Sequence, residues 1–282
     1  MAPPVAIDEP EFPHPNFTLL AKGNQPVAKD DMGRIYDAKT PKGNRGRVRE
    51  ITLGRVPEDV AEIRQRAIDQ LQEFIEEVHD YEHPNLIHYY GVNEAVGSVL
   101  LYSELGKSPL DCSAPMPEDK VKTILKGVLQ AVAYLHEQGT FHGELTPENI
   151  FFGNVDPTPK LGEWGVGKML RDIANPNSGF NSIQAQPYFL APEVLAGGEY
   201  DQQTADIWAL GCCVGSMLTG KGPWSSIKNQ GQVILAVMKG KEPPFELADS
   251  SEDARSFVSE CFERNVEKRP TIEALLEHPF VK

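Results

Sequence analysis

YLHEQGTFHGELTPENIFF, residues 134–152, is the stretch on which the reading of this chain turns. Its first residues close a helical pattern that Pro117 opens: Val121, Ile124, Leu125, Val128, Val132 and Leu135 recur at three- and four-residue steps and stop before Gly139. Toward the C-terminus stand KLGEWGVGK (160–168), PYFLAPEV (187–194), TADIWALGCCVGSMLTGKGPW (204–224) and ERNVEKRPTIEALLEHPF (263–280). Helices and loops alternate through this half.

Toward the N-terminus the pattern changes. FTLLAKG (17–23), GRIYDAKT (33–40), GRVREITL (46–53), LIHYYGV (86–92) and SVLLYSEL (98–105) are short runs rich in β-branched and aromatic residues, bounded by Gly, Asn and Pro. TPKGNRG (40–46) is a turn signal between the second and third. One amphipathic helix interrupts them from about Glu58 to Asp80, with Val60, Ile63, Ala67, Leu71, Phe74, Ile75 and Val78 as its apolar stripe. A strand-rich part followed by a larger helical part, joined near Tyr102–Gly106, predicts two lobes with a cleft between them, and clefts bind ligands.

Composition limits the alternatives. The chain has 282 residues, enough for a full core, and its 40% hydrophobic and 24% charged residues are ordinary for a folded domain. With 27 basic against 41 acidic residues the net charge is −14, which argues against nucleic acid and anionic membranes as partners. Cys112, Cys212, Cys213 and Cys261 lack zinc-like spacing, which predicts reduced thiols and no structural metal. The N-terminal MAPPVAIDEPEFPHP has no apolar signal-peptide core and reads as a loose leader, and the apolar run Ile207–Leu218 is too short to span a bilayer. These features predict a cytoplasmic or nuclear protein.

The five quoted landmarks resemble, in order and spacing, those of the eukaryotic protein kinases, over nearly the whole chain. The C-terminal wording is most similar to the mitogen-activated protein kinase kinase kinase branch. The resemblance implies an α+β, bilobal protein-kinase fold: a flexible leader (1–16), a small antiparallel-sheet N-lobe with one long helix (about 17–101), a hinge (about 102–106) and a larger helical C-lobe (about 107–282).

Carried over residue by residue, the resemblance also implies that the chemistry has changed. Where the family has a catalytic His-Arg-Asp, this chain has His142, Gly143 and Glu144; the extra methylene displaces the carboxylate by roughly 1 Å, enough to cost about 100-fold in rate. Thr146 stands where a Lys neutralises the transferred phosphoryl group, and Gly143 where an Arg receives a phosphorylated activation loop. Gln186 replaces the Thr that bridges the catalytic pair. Of the two metal contacts, Asn149 is retained and Glu163 replaces Asp, in an EWG that puts Trp164 at the position of an aromatic core spacer.

The nucleotide-binding positions fall on Ala28, Asp30, Gly33, Arg47, Arg49 and Leu101. Ala28 and Asp30 occupy glycine positions of the phosphate loop and only Gly33 remains, so side chains obstruct phosphate and Asp30 repels it. Arg47 crowds the base, and Arg49 replaces a phosphate-pairing Lys with a planar fork of different reach, unless it is simply a solvated strand residue. Phe74 falls where the long helix offers a carboxylate to that Lys, with Glu73 and Glu77 nearby. The scaffold positions match: Asn149, Gly165, Glu193, Asp206, Trp208, Gly211 and Arg269, with Glu193 and Arg269 implied as a buried ion pair and Asp206 as a brace for the catalytic loop.

The expectation is therefore a pseudokinase, a signalling scaffold or allosteric regulator that binds protein, such as an active kinase or its substrate, and needs no cofactor. Two alternatives stay open: a weakly active Mg/ATP-dependent Ser/Thr kinase or other nucleotide-transfer enzyme, and a domain that binds nucleotide without catalysis. The helix from Glu58 to Asp80 and the segment from Gly167 to Gln186 are the expected docking faces.

Overall fold

The computed structural model describes residues 21–39, 45–106, 108–152, 158–176, 187–197 and 199–282. The chain divides into two compact units. The first holds the residues through Tyr81, then His88–Leu105 and Met169–Pro176; the second holds Glu82–Ile87, Gly106–Lys168 and Asn177–Lys282. The leader, the TPKGN part of the predicted turn and Gln186 lie outside the described residues.

The first unit is an antiparallel sheet with one long helix. Its strands are β1 (Ala21–Lys22), β2 (Ala28–Asp30), β3 (Gly33–Lys39), β4 (Arg45–Thr52), β5 (Tyr89–Ala95) and β6 (Ser98–Glu104), in the order β1-β3-β4-β6-β5 with β2 also paired to β3. Alternation sets the faces: Tyr36, Ala38, Val48 and Tyr102 are buried together on one side. Strand β6 runs on into the expected hinge segment. Tyr102, Ser103 and Glu104 still pair with Val48, Arg47 and Gly46, because that buried Tyr102 anchors β6 to β4.

Helix α1 (Glu58–Val78) buries Val60, Arg64, Ala67, Ile68, Leu71, Ile75 and Val78. Ile63, expected in the stripe, is exposed, and Phe74 is half-buried. At about 100° per residue Ile63 sits roughly 80° from the centre of the stripe and Arg64 roughly 20°. Geometry therefore buries a guanidinium where the apolar count pointed to an isoleucine.

In the second unit α2 (Glu118–Glu137) buries the whole expected stripe, with Pro117 preceding its first turn and acidic Glu118 and Asp119 complementing its N-terminus. Beside it lies a three-stranded sheet, β7 (Ser108–Pro109), β8 (Ile150–Phe152) and β9 (Pro159–Leu161). Then come α3 (Gly167–Ala174), whose residues from Met169 onward belong to the first unit, α4 (Pro192–Ala196), α5 (Gln202–Thr219), α6 (Gln230–Met238), α7 (Glu252–Cys261) and α8 (Ile272–Leu276).

α5 is buried all round from Asp206 to Leu218, so it carries the core of this unit. Asp201 caps its first turn by accepting from Gln203 N, and Gly220 ends it in a left-handed conformation. Gly211 lets α7 come close: a Cβ there would lie 2.6 Å from that of Cys261. Cys212, Cys213 and Cys261 are buried thiols whose pKa burial raises. Among the described residues no helix is long and apolar enough to cross a membrane.

Candidate functional site

In the first unit the sheet register gathers the nucleotide-side positions. Arg49 lies between Ile35 on β3 and Leu101 on β6, and Arg47 between Asp37 and Ser103. β2 and β3 form a hairpin in which Asp30 faces Gly33, closed by Asp31 and Met32. Asp30 Oδ1 accepts from Met32 N at 2.9 Å, a side-chain turn that explains an Asp at this corner. Gly33 has φ +133, and a Cβ there would meet Glu50 O at 2.5 Å. Its glycine is thus required by the approach of β4, independently of any phosphate.

The Asp30 carboxylate has a second partner. Arg49 Nη1 donates to both of its oxygens at 2.7 Å, and the arginine is buried to 5% exposure. The solvated-strand alternative for Arg49 is therefore excluded: the side chain lies inward and ion-paired. Glu73 and Glu77 are exposed on α1. Ala28 is exposed on β2 opposite Ile35, and Leu101 is buried beside Arg49.

In the second unit His142 is the hub of the catalytic-loop positions. It is wholly buried, and burial depresses its pKa to about 4 against the opposing charge of Asp206, so the ring is neutral at pH 7. Its backbone N donates to Asp206 Oδ2 at 2.7 Å and that of Gly143 to Oδ1 at 2.8 Å, which gives Asp206 the bracing geometry expected of it. Gly165 N donates to His142 O at 2.9 Å, and Glu144 N to its Nδ1 at 3.1 Å. One residue thereby ties the HGE loop, the EWG loop and α5 together.

Glu144 is half-buried, and the room for its longer side chain comes from Gly167, where a Cβ would stand 2.1 Å from Glu144 Cγ. Tyr200 lies close enough to Glu144, Glu193 and Asp206 for their charges, after burial, to raise its pKa. Thr146 is buried at 2% exposure, so a neutral hydroxyl faces inward at the expected Lys position. Gly143 sits at φ +76, a backbone that suits glycine.

Trp164 does more than space the core. It is 1% exposed, and its Nε1 donates to Ile87 O at 2.9 Å, fastening the EWG loop to the strand-like segment that also bridges Leu86 to Leu161. Glu193 and Arg269 form the implied pair: Nη1 to Oε1 is 2.6 Å and Nη2 to Oε2 is 3.1 Å. The carboxylate is partly open at 16% exposure, so the pair is less buried than expected. Arg269 also donates to Thr204 O and Glu263 O and lies over the Trp208 ring.

The family's metal contacts fall on Asn149 and Glu163. Asn149 Nδ2 donates to Glu144 O at 2.8 Å, which leaves Oδ1 as its acceptor, and Glu163 carries its carboxylate on a left-handed backbone with φ 60. Two protein oxygens leave most of an octahedral Mg²⁺ shell to water and phosphate, so these residues suit the metal only alongside a nucleotide. In the first unit Asp30 presents a carboxylate to Arg49 at the position that the resemblance assigns to phosphate pairing. Among the described residues no three His, Cys, Asp or Glu side chains gather for a metal.

The fold and these landmarks define a class, and comparison with known proteins agrees. The model of the protein kinase domain matches residues 43–281, and the chain belongs to the protein-kinase family. Among its relatives, the mitogen-activated protein kinase kinase kinase ANP1 of Arabidopsis thaliana is 32% identical over 77% of this chain and 33% of its own length. Mitogen-activated protein kinase kinase kinase 3 of the same plant is 31% identical over 94% of this chain and 43% of its own. This chain thus spans less than half of either relative. A crystal structure of Rad53 residues 1–466 in complex with AMP-PNP shares the fold, with a TM-score of 0.75 at 22% identity over 94% of this chain and 66% of that one.

Proposed function

We propose that this chain is a pseudokinase: a protein-kinase domain related to the mitogen-activated protein kinase kinase kinases that has lost phosphoryl transfer and works by binding other proteins. The observation that carries this reading is the Arg49–Asp30 pair. The basic group at the phosphate-pairing position already holds an anion supplied by the chain itself. An entering phosphate must displace that carboxylate and remain beside it, so attraction to Arg49 is offset by repulsion from Asp30. Phosphoryl transfer is almost entirely positioning and electrostatics, and the buried Thr146 hydroxyl supplies no positive charge where negative charge develops.

The partner in this reading is a protein, an active kinase or its substrate, met in the cytoplasm without a cofactor. The exposed acidic side of α1, including Glu62, Asp69, Glu73, Glu76 and Glu77, is the docking face it favours, and a basic partner surface would complement it. The other expected face is withdrawn in its first half, because α3 buries Leu170 and Ile173 in the first unit.

A second reading, a slow Mg/ATP-dependent kinase, is favoured by the oxygen donors kept at Glu144, Asn149 and Glu163 and by relatives that are named kinases. A transfer assay with labelled ATP, Mg²⁺ or Mn²⁺ and generic protein acceptors separates the two. The pseudokinase reading expects incorporation no higher than in Glu163→Ala; incorporation that Glu163→Ala abolishes would establish the kinase.

A further inference from the structure

A cavity of about 500 Å³ lies within the second unit, and no residue of the HGE or EWG loops lines it. That volume suits a small organic molecule. Its walls come from Leu110–Ser113 before α2, from Tyr188 and Phe189, and from the turn Gly222–Ser225 after α5; it reaches Ser216 of α5, which is 1% exposed. The turn is fixed, because Ser225 N donates to Gly222 O at 3.2 Å and Ile227 N to Trp224 O at 2.7 Å. Trp224 is buried with Val233 and Val237 of α6 and sits at φ 61, a backbone that costs a non-glycine residue energy. Tyr188, Phe189 and Ile227 also line the cavity but are only half-buried, so each leaves apolar surface uncovered.

Two exposed carboxylates, Asp111 and Glu148, border the same cavity. They converge on the half-buried Cys112, another lining residue: burial, then the charges of Glu148 and Asp111, push its thiol up to about 12, and Lys120 acts against them. Nearby Lys221 is paired with Glu246 at 3.0 Å. The Ser113 hydroxyl and backbone N–H hold the Asp111 carboxyl below its usual range, the N–H donating to Oδ1 at 2.9 Å, so this carboxylate is positioned in advance. Negative charge beside aromatic rings is the combination that receives a cation carried on an apolar body. We propose that the cavity binds a small organic cation, a guanidinium or primary ammonium on an aromatic or branched body, with the charge held by Asp111 and Glu148 and the body against Tyr188, Phe189 and Trp224. The site is independent of whether the chain transfers phosphate.

The test is a ligand-observed NMR titration of the full chain with phenethylguanidine and with phenethylurea, which has nearly the same shape and no charge. The guanidine should bind with a Kd of about 1 mM or tighter, and the urea about tenfold or more weakly than that. Asp111→Asn combined with Glu148→Gln changes only exposed side chains; it should remove about tenfold of the guanidine affinity and leave the urea unaffected. Cys112→Phe fills the cavity without touching either carboxylate. It should abolish binding of both probes, which separates this site from general attraction to a chain of net charge −14. Equal binding of the two probes, unaltered guanidine affinity in the charge variant, or binding that survives Cys112→Phe overturns the proposal. So does an arginine-containing peptide that binds wild type but not Cys112→Phe while phenethylguanidine binds neither, because the occupant would then be a protein.

Discussion

Asp30→Asn is the substitution that isolates the ion pair in the first unit. The amide oxygen of Asn can still accept from Met32 N, so the hairpin turn survives and only the charge facing Arg49 is lost. The Arg49 side chain is 6% exposed and that of Asp30 is 34% exposed. Orphaning one member of a fully buried pair costs about 3–5 kcal/mol, whereas an exposed pair contributes about 1 kcal/mol or less. With one partner buried and the other about a third open to solvent, about 2 kcal/mol is the working figure. At about 2–4 °C per kcal/mol for a chain of this size, the melting temperature should fall by about 4–8 °C. A double-mutant cycle with Arg49→Met, read by urea denaturation, should show a coupling of about 1.5 kcal/mol. Additive single effects, or a loss in Asp30→Asn below about 0.5 kcal/mol, would refute the pairing as a structural element.

Three further outcomes follow from the second unit. Trp164→Phe leaves Ile87 O without the indole donor and a small void beside it, and should lower stability by about 2 kcal/mol in chemical denaturation. Arg269→Met strands Glu193 and the Thr204 and Glu263 carbonyls, and should cost about 3 kcal/mol or more by the same measurement. His142 has a folded pKa of about 4, below its ordinary value of 6.5, so the unfolded chain binds the proton first as pH falls. Its contribution should therefore reduce stability as pH drops from about 6.5 to about 4, by an amount on the order of 3 kcal/mol, and level off below that range. His142→Asn should flatten this part of the stability profile relative to wild type.

The fold was legible because its landmarks are local strings: the helix before Gly139, the two loops around Glu144 and Trp164, and the α5 core each announce themselves within a few residues. What escaped the sequence is pairing across the sheet. Asp30 and Arg49 are brought together only by the registers of β2 on β3 and β3 on β4, and nothing in either segment alone names the other as partner. The same holds for Trp164, whose aromatic role was readable but whose carbonyl partner, Ile87, comes from a distant segment. Arg64 was passed over because counting apolar residues overlooks a buried cation whose hydrogen bonds go to backbone carbonyls. Helix α3 had a signal in the spacing of Leu170 and Ile173, but the family resemblance cast that segment as a regulatory surface. Gly167 is instructive in another way: its missing side chain makes room for Glu144, so the longer carboxylate fits the local packing.

The most direct test of the central claim is the melting temperature of the full chain, alone and with ATP up to the millimolar range, without metal and with Mg²⁺ or Mn²⁺, compared with the Asp30→Gly, Arg49→Lys double variant. Nucleotide that binds the folded state must raise the transition by mass action. A self-occupied phosphate position predicts no shift in the wild type and a nucleotide-dependent rise in the double variant. A metal-dependent rise in the wild type as large as in the double variant would contradict it.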